Sequence, residues 1–400
     1  MEFRNRTPFA ALNFKMLDKD GEEHDVIALK AGYQLIKTAN GDYRADLLDT
    51  EPVPLCMEDK YSGEVNASSV YQESDLAPYK PLCDVIINGT AKAPDGVAVT
   101  SFPVGIKLTD RDGRLLLYKR LRICGPRYYN GRSLSEPQPF TELKLGYEQS
   151  FGGECRIDEE HGHSLAATYR LTESQRLQHP DKEHPPLAHS VCEANPTGVG
   201  FIEPWYAAAL NIKEYPAPRI ESFAAPFSAA VFKQMLDGRQ PKDSPALRPY
   251  GFGIIGRAWQ PRRAKAGTYD KKWLAERHPY LPDDFDFNYW NGAPEDQQIA
   301  YPYGLHIELE NLTPDKLLRV DLPHHRALLL LRMNNGSLIP RPMVLDTLII
   351  DSDRLLITTT YRTILETDIS VRVTEVRFEV DQEAPVIRTL SSKKDQNIKE

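Results

Sequence analysis

Residues 104–123 constrain the fold more than any other stretch of the chain. Val104, Ile106 and Leu108 alternate with Gly105 and Lys107, and Asp112-Gly113 supplies a turn. Leu115, Leu117, Leu121 and Ile123 then form one face against Leu116, Tyr118, Arg120 and Arg122. A period of two belongs to a strand with one buried face, and two such runs about an Asp-Gly turn read as a hairpin. Lys119 interrupts the apolar face, so an edge position is expected there. The pattern recurs along the chain. Asp18-Lys19-Asp20-Gly21 and Asn40-Gly41 are turns between apolar segments, Leu305, Ile307 and Leu309 alternate, and 345–361 reads as a hairpin about Asp351-Ser352-Asp353. Ile369, Val371 and Val373 lie on odd positions but Val376, Phe378 and Val380 on even ones, which predicts a β-bulge near Thr374-Glu375.

Helical signals are few. Ser228–Asp237 reads as a helix ended by Gly238, and Tyr269–Arg277 as a shorter one. The 31 prolines imply many long connections, because proline is poorly tolerated inside helices and central strands. The expected fold is mainly β: antiparallel, sandwich-like sheets in two halves, with long loops and one or two short helices. Strands do not alternate with helices, which disfavours a dinucleotide-binding or α/β-barrel enzyme. The halves are placed at 1–153 and 195–400. They are joined by 154–194, a polar, His-rich insertion expected to be mobile and dispensable for folding. The charged 391–400 segment reads as a frayed tail.

Arg248–Ile299 is unusual for its length. It holds Trp259, Trp273 and Trp290 among many Gly, Pro, Asp and Arg residues. Disordered segments are poor in aromatics, so this one reads as an ordered loop pinned to a sheet by its rings. Trp259 and Trp273 are expected to be mainly buried. Arg262, Asp283, Asp284, Tyr289 and Trp290 are the candidates for contacting a partner, since large rings and exposed charges are what interfaces use.

Four stretches carry a family likeness. The loop contributes Trp259-x-Pro261-Arg262, Ala266-Gly267-Thr268-Tyr269-Asp270, Trp273, Leu281-Pro282-x-Asp284-Phe285-Asp286 and Asn291-x-Ala293-Pro294-x-Asp296-Gln297-Gln298. Before it come Asp75-Leu76-Ala77-Pro78-x-Lys80-Pro81-x-x-Asp84, Tyr147-Glu148-x-x-Phe151-Gly152-Gly153 and Asn195-Pro196-x-Gly198-x-Gly200-Phe201. Together they resemble the bacterial family of domain of unknown function 2169. Two places depart from its pattern: Cys124-Gly125-Pro126-Arg127-Tyr128 stands where Gly-Asp-Arg-x-Trp is expected, and Tyr250 where a small residue is usual. The resemblance implies an adaptor chaperone that loads a toxic effector onto the type VI secretion spike. It makes Asp75, Lys80, Asp84, Phe151, Gly152, Gly153, Asn195, Pro196, Trp259, Gly267, Tyr269 and Trp273 structural residues. On charge spacing alone, Asp75, Lys80 and Asp84 read as a surface ion pair near a strand start.

Other chemistry is weaker. Cys155, His161, His163, His179, His184, His189 and Cys192 are zinc-ligand types, but their spacing matches no zinc pattern. Asp270, Asp283, Asp284, Asp286 and Asp296 suggest a carboxylate cage or an acid–base pair, although short polar side chains in turns more often bond their own backbone. Arg262 and Arg263 are their expected partners. Gly152-Gly153 and Gly251-x-Gly253 lack the Lys-Ser/Thr of a phosphate loop. The formal charge of −8 disfavours nucleic acid and anionic membranes as partners. No apolar run suggests a signal peptide or a membrane span, and five cysteines without a Cys-x-x-Cys pair fit a reducing cytoplasm. The expected role is therefore non-catalytic and needs no metal or cofactor. The partners that the resemblance implies are an effector with a proline-alanine-alanine-arginine tip domain and the spike protein. A metal-assisted hydrolase using the acidic loop or the His-rich segment is the alternative, and a structural component of the secretion particle is a further one.

Overall fold

The computed structural model describes residues 2–157, 188–210, 212–237, 244–366, 370–381 and 383–385. The predicted hairpins form. Ser101–Thr109 pairs with Leu115–Cys124, and Asp110 Oδ1 accepts the backbone N–H groups of Asp112 and Arg114 to close the turn. Ala10–Leu17 pairs with the long strand Glu23–Lys37, which turns back into Tyr43–Leu47. Val344–Asp351 pairs with Leu356–Glu366.

These hairpins assemble into a 12-stranded sheet. Its order is Ile220–Glu221, Leu115–Cys124, Ser101–Thr109, Leu305–Glu310, Leu317–Leu322, Tyr43–Leu47, Glu23–Lys37, Leu356–Glu366, Val344–Asp351, Cys83–Asn88 and Gln298–Ile299, with Ala10–Leu17 beside Glu23–Lys37. Strands from 1–153 and 195–400 thus interleave in one sheet. Two junctions are parallel, Val344–Asp351 with Cys83–Asn88 and Leu317–Leu322 with Tyr43–Leu47; each joins strands far apart in sequence, as a parallel pair requires. A second sheet orders Glu2–Asn5, Val371–Glu379, Arg326–Met333 and Leu338–Pro342. Leu329, Leu331 and Val376 from it share one core with Ile27, Leu29, Tyr33, Val85, Ile307 and Leu348 of the large sheet.

Side-chain parity divides the large sheet. Odd residues Ile27–Leu35 face this core, as do Val85, Ile87, Ile357 and Tyr361. The opposite face carries Lys30, Asp84, Thr360 and Arg362, all buried, together with Ile86, which packs with Val70, Ile254 and Ala293. The strand Cys83–Asn88 is consequently buried on both faces.

Several expectations are corrected. The strand Val371–Glu379 is irregular at Arg372, where Arg332 and Met333 oppose Val373 and Val371, and not at Thr374-Glu375. The phase change in its apolar residues has another cause: Val373, Thr374, Glu375 and Val376 are all buried because both faces are covered. The ends of 154–194 belong to the folded body. Glu154–Ile157 pairs with Ala188–Val191, and Cys155 and Ile157 are fully buried, Cys155 in a second core with Phe151, Ile202, Phe227 and Phe232. Residues 158–187 and the 391–400 tail lie outside the described residues, as does Gly238. The two anticipated helices form as Ala229–Leu236, capped by Ser228, and Lys271–Glu276, capped by Asp270. Among the described residues, Pro204–Leu210 is a further helix that the sequence reading does not include.

His325 lies between the sheets. It stacks on Tyr33 of the large sheet at 5.7 Å and meets Phe378 of the small one at 5.4 Å. Burial pushes its pKa below the ordinary value, and that of its neighbour His324 likewise. Below about pH 6.5 the unfolded chain takes up these protons before the folded one, so stability present above that pH declines as the pH falls. Melting curves between about pH 5 and pH 7 should show this slope. Replacing both histidines with glutamine should flatten it; an unchanged slope would assign it to other groups.

Candidate functional site

The polar face of the large sheet is covered by residues 55–80 and by the aromatic loop, and the residues that carry the family likeness hold both covers in place. Asp75 is 7% exposed. Its Oδ2 accepts Lys30 Nζ at 2.7 Å and the Cys56 N–H at 2.7 Å, and its Oδ1 accepts Thr360 Oγ1 at 3.0 Å. Arg362 donates to the carbonyls of Ala77 and Asp75 at 2.7 and 3.2 Å. Asp84, on the strand Cys83–Asn88, has no exposed surface. It accepts Lys80 Nζ at 2.7 Å, Asn291 Nδ2 at 3.0 Å and the N–H groups of Gly292 and Ala293 at 2.9 and 3.1 Å. Asp75, Lys80 and Asp84 are therefore buried anchors and not a surface ion pair. Burial opposes the Lys80 charge, but Asp84, Asp346 and Glu73 outweigh it and hold its pKa above the ordinary value. Burial pushes the Asp346 carboxyl up.

Lys119 is explained in the same way. Its ammonium is buried and donates to Asp296 Oδ1 at 2.8 Å and Gln297 Oε1 at 2.7 Å. Gln297 in turn donates to the carbonyls of Val85 and Phe252. A lysine that breaks a strand's apolar face is here the peg on which the end of the loop hangs. The third stretch is a backbone lock. Asn195 Nδ2 donates to the carbonyls of Tyr147 and Phe151, and Gly152 and Gly153 take φ of +152° and +114° against it. A Cβ on Gly152 would lie 2.2 Å from the Asn195 carbonyl oxygen. Phe151 is buried, and Pro196, next to the lock, is half-buried.

The aromatic loop divides into an anchored part and an exposed part. Trp259 is 7% exposed and meets Tyr147 edge-on at 5.5 Å. Arg262, expected at the surface, is 3% exposed: it donates to Glu73 through two nitrogens, at 2.6 and 3.1 Å, and to the carbonyls of Tyr289 and Ile255. It is a structural tie, out of reach of a partner. Arg263 pairs with Glu193, so neither arginine serves the loop's aspartates. Tyr289 and Trp290 are half-buried and packed on Phe285 at 5.6 and 6.3 Å. Trp273, expected to be buried, is only half-covered, by Tyr269 at 4.7 Å and His278 at 5.3 Å.

That exposed part is a knob built on the helix Lys271–Glu276. Tyr269, Leu274 and Tyr280 are 54%, 62% and 39% exposed. The turn Asp18–Gly21 braces it: Arg277 donates to the Lys19 carbonyl, Lys19 Nζ lies 3.3 Å from the Asp283 carbonyl, and Gly21 abuts the Tyr280 ring. The carboxylates do not converge. Asp270 caps the helix through the Trp273 N–H, Asp286 caps a turn through the Asn288 N–H, Asp283 pairs with Arg277 and Asp296 with Lys119. Asp284, exposed, accepts the N–H and hydroxyl of Thr268 at 2.9 and 2.7 Å, and these bonds lower its pKa. It sits against Gly267, at φ +81°, where a Cβ would come within 2.9 Å of its Oδ1.

Of the His-rich set, His161, His163, His179 and His184 lie outside the described residues. His189 pairs with Glu154, and burial pushes the Cys155 thiol up to about 11, which leaves it a poor nucleophile. Among the described residues, the potential metal ligands within mutual reach are Asp18, Glu22 and His24 in the bracing turn. Sequence reasoning missed Lys30, Arg362 and Glu73. A lysine inside the apolar run Val26–Leu35 was a usable signal for Lys30; Glu73 had none.

A model of a family described as an uncharacterized protein conserved in bacteria, DUF2169, matches residues 20–362. No curated protein and no solved structure matches the chain.

Replacing Asp84 with Ala strands a buried ammonium, two N–H groups and an amide. We expect a loss of ~3–5 kcal/mol, read as a marked fall in melting temperature. Asp284→Ala, at an exposed turn, should leave the melt nearly unchanged. Comparable shifts for the two variants, measured by scanning fluorimetry, would overturn this ranking.

Proposed function

We propose a non-catalytic role for this chain, which belongs to the bacterial DUF2169 family: it is a cytoplasmic adaptor chaperone that binds a type VI secretion effector and aids its loading onto the spike protein. The client carries a proline-alanine-alanine-arginine tip domain. The observation that supports this reading is the knob. Tyr269, Leu274 and Tyr280 are exposed together on a base held by Arg277, Lys19 and Trp273. Large apolar side chains exposed on a supported base, rimmed by charges such as Lys271, Lys272, Asp283 and Asp284, suit protein recognition: they bury area on contact and lose little freedom in doing so. The carboxylates that might have formed a catalytic pair each hold a separate structural partner. Among the described residues, no helix is long and apolar enough to cross a membrane.

Affinity capture of the tagged chain from the producing bacterium, with mass-spectrometric identification, should recover an effector or a spike component; recovering neither counts against the role. The variant Leu274→Asp should lower client recovery by about tenfold or more, with an unchanged melt because that side chain is exposed. Undiminished recovery would move the client interface away from the knob.

A further inference from the structure

A cavity of about 330 Å³ opens where the large and small sheets meet. An apolar cavity of roughly 150 Å³ takes benzene, and small-molecule sites typically span roughly 300–1,000 Å³. Leu305, Leu345 and Tyr361 of the large sheet and Ala327 and Leu328 of the small one, all buried, form its walls. Tyr303, 65% exposed, stands at its rim.

Most polar groups around it are engaged within the chain. The Tyr301 hydroxyl donates to the Lys80 carbonyl, and His325 Nδ1 lies 3.0 Å from Tyr33 Oη. His324 meets the Tyr303 ring edge-on at 5.3 Å. Arg326 donates to the carbonyls of Asp381 and Ala384 at 3.2 and 2.5 Å and stands in register opposite Glu379. Charges of both signs thus lie at this end of the small sheet, and nothing there selects a ligand by its charge. Arg326 Nε is buried without a hydrogen-bond partner, which leaves one N–H for a neutral oxygen. Walls of hydrocarbon strip water from whatever enters, which opposes an ion and draws in a neutral apolar molecule.

The adjoining strand narrows the class further. Leu338–Pro342 is an edge of the small sheet, and Pro340 and Pro342, which line the cavity, have no N–H to donate. Prolines blunt an edge against an added peptide strand, so the site suits a small molecule better than an extended polypeptide. The volume is about twice that of the benzene-sized cavity, room for an apolar body of about eight carbons. We propose that the cavity binds a small neutral molecule with such a body and a single hydroxyl or carbonyl oxygen, of the medium-chain alcohol type. Its body lies against Leu305, Leu345 and Tyr361. A ligand there touches both sheets and stabilises the folded chain by mass action.

Titration calorimetry of the full chain at neutral pH, with straight-chain alcohols from butanol to decanol, tests this. Affinity for one site should rise about threefold to fourfold per methylene until the cavity is full, and then level off. Octanol should raise the melting temperature, and octanoate should bind about tenfold more weakly than octanol because its carboxylate gives up water on entry. Val344→Phe, which adds bulk to the half-buried lining, should weaken octanol about tenfold or more. If that variant does not fold, the chain-length series on the unaltered chain stands by itself. No saturable octanol binding, an affinity that climbs with chain length without levelling off, or a folded Val344→Phe with the parent's affinity would each overturn the proposal. So would tighter binding of octanoate, which would assign an anion site, or of a short peptide ending in leucine, which would assign the cavity to a polypeptide C-terminus.

Discussion

The Asp84 carboxylate is the point on which the covered face depends. It has no contact with solvent and joins its own strand and the adjacent Lys80 turn to the Asn291–Ala293 end of the aromatic loop, which is distant in sequence. A buried carboxylate is costly unless its lone pairs are filled, and here a cation, an amide and two backbone N–H groups fill them. That requirement makes the arrangement specific. A shift of the loop by one residue would leave the charge unpaired, so the loop has one seat on the sheet.

Asp75, Lys119, Arg262 and Asn195 repeat the device at four other places along the same cover. Each is a polar side chain with little or no exposure that bonds to a carbonyl, N–H or charge on a segment remote in sequence. The result explains how a loop as long as Arg248–Ile299 stays ordered without long helices or strands. Its backbone groups and rings are tied to the sheet at several points, so the ordering cost is distributed over many contacts. Only the Tyr269–Asp284 excursion escapes this anchoring. There the apolar residues turn outward, and recognition is the use to which such a supported, exposed surface is suited.

The two faces of the large sheet thus differ in chemistry. One shares an aliphatic and aromatic core with the small sheet, where sequence needs only to supply apolar residues of suitable size. The other is closed by polar ties, which demand particular residues at particular places. Two of the stretches that carry the family likeness, Asp75–Asp84 and Asn291–Gln298, supply ties on this second face. The cavity at the junction of the sheets lies at the end of the first face, outside that likeness except for the Tyr301 hydroxyl, which donates to the Lys80 carbonyl.

Local pattern was enough to place the hairpins at 101–124, 10–47 and 344–366, since period-two alternation and Gly-containing turns are short-range properties. It also marked the helices within 228–237 and 269–277, and the aromatic loop as ordered. It did not determine which hairpins adjoin, because partner choice between distant strands leaves no trace in alternation; hence the interleaving of both halves and the two parallel junctions. Nor did it separate buried from exposed charge. Arg262 and Asp284 are both polar residues in a Pro- and Gly-rich loop, yet Glu73, which lies 189 positions before Arg262, draws one inward, while Thr268 holds the other at the surface. Whether a charge is buried depends on a partner brought by the tertiary fold, and for Asp75, Lys80 and Asp84 that partner network decided what spacing alone had read as a surface pair.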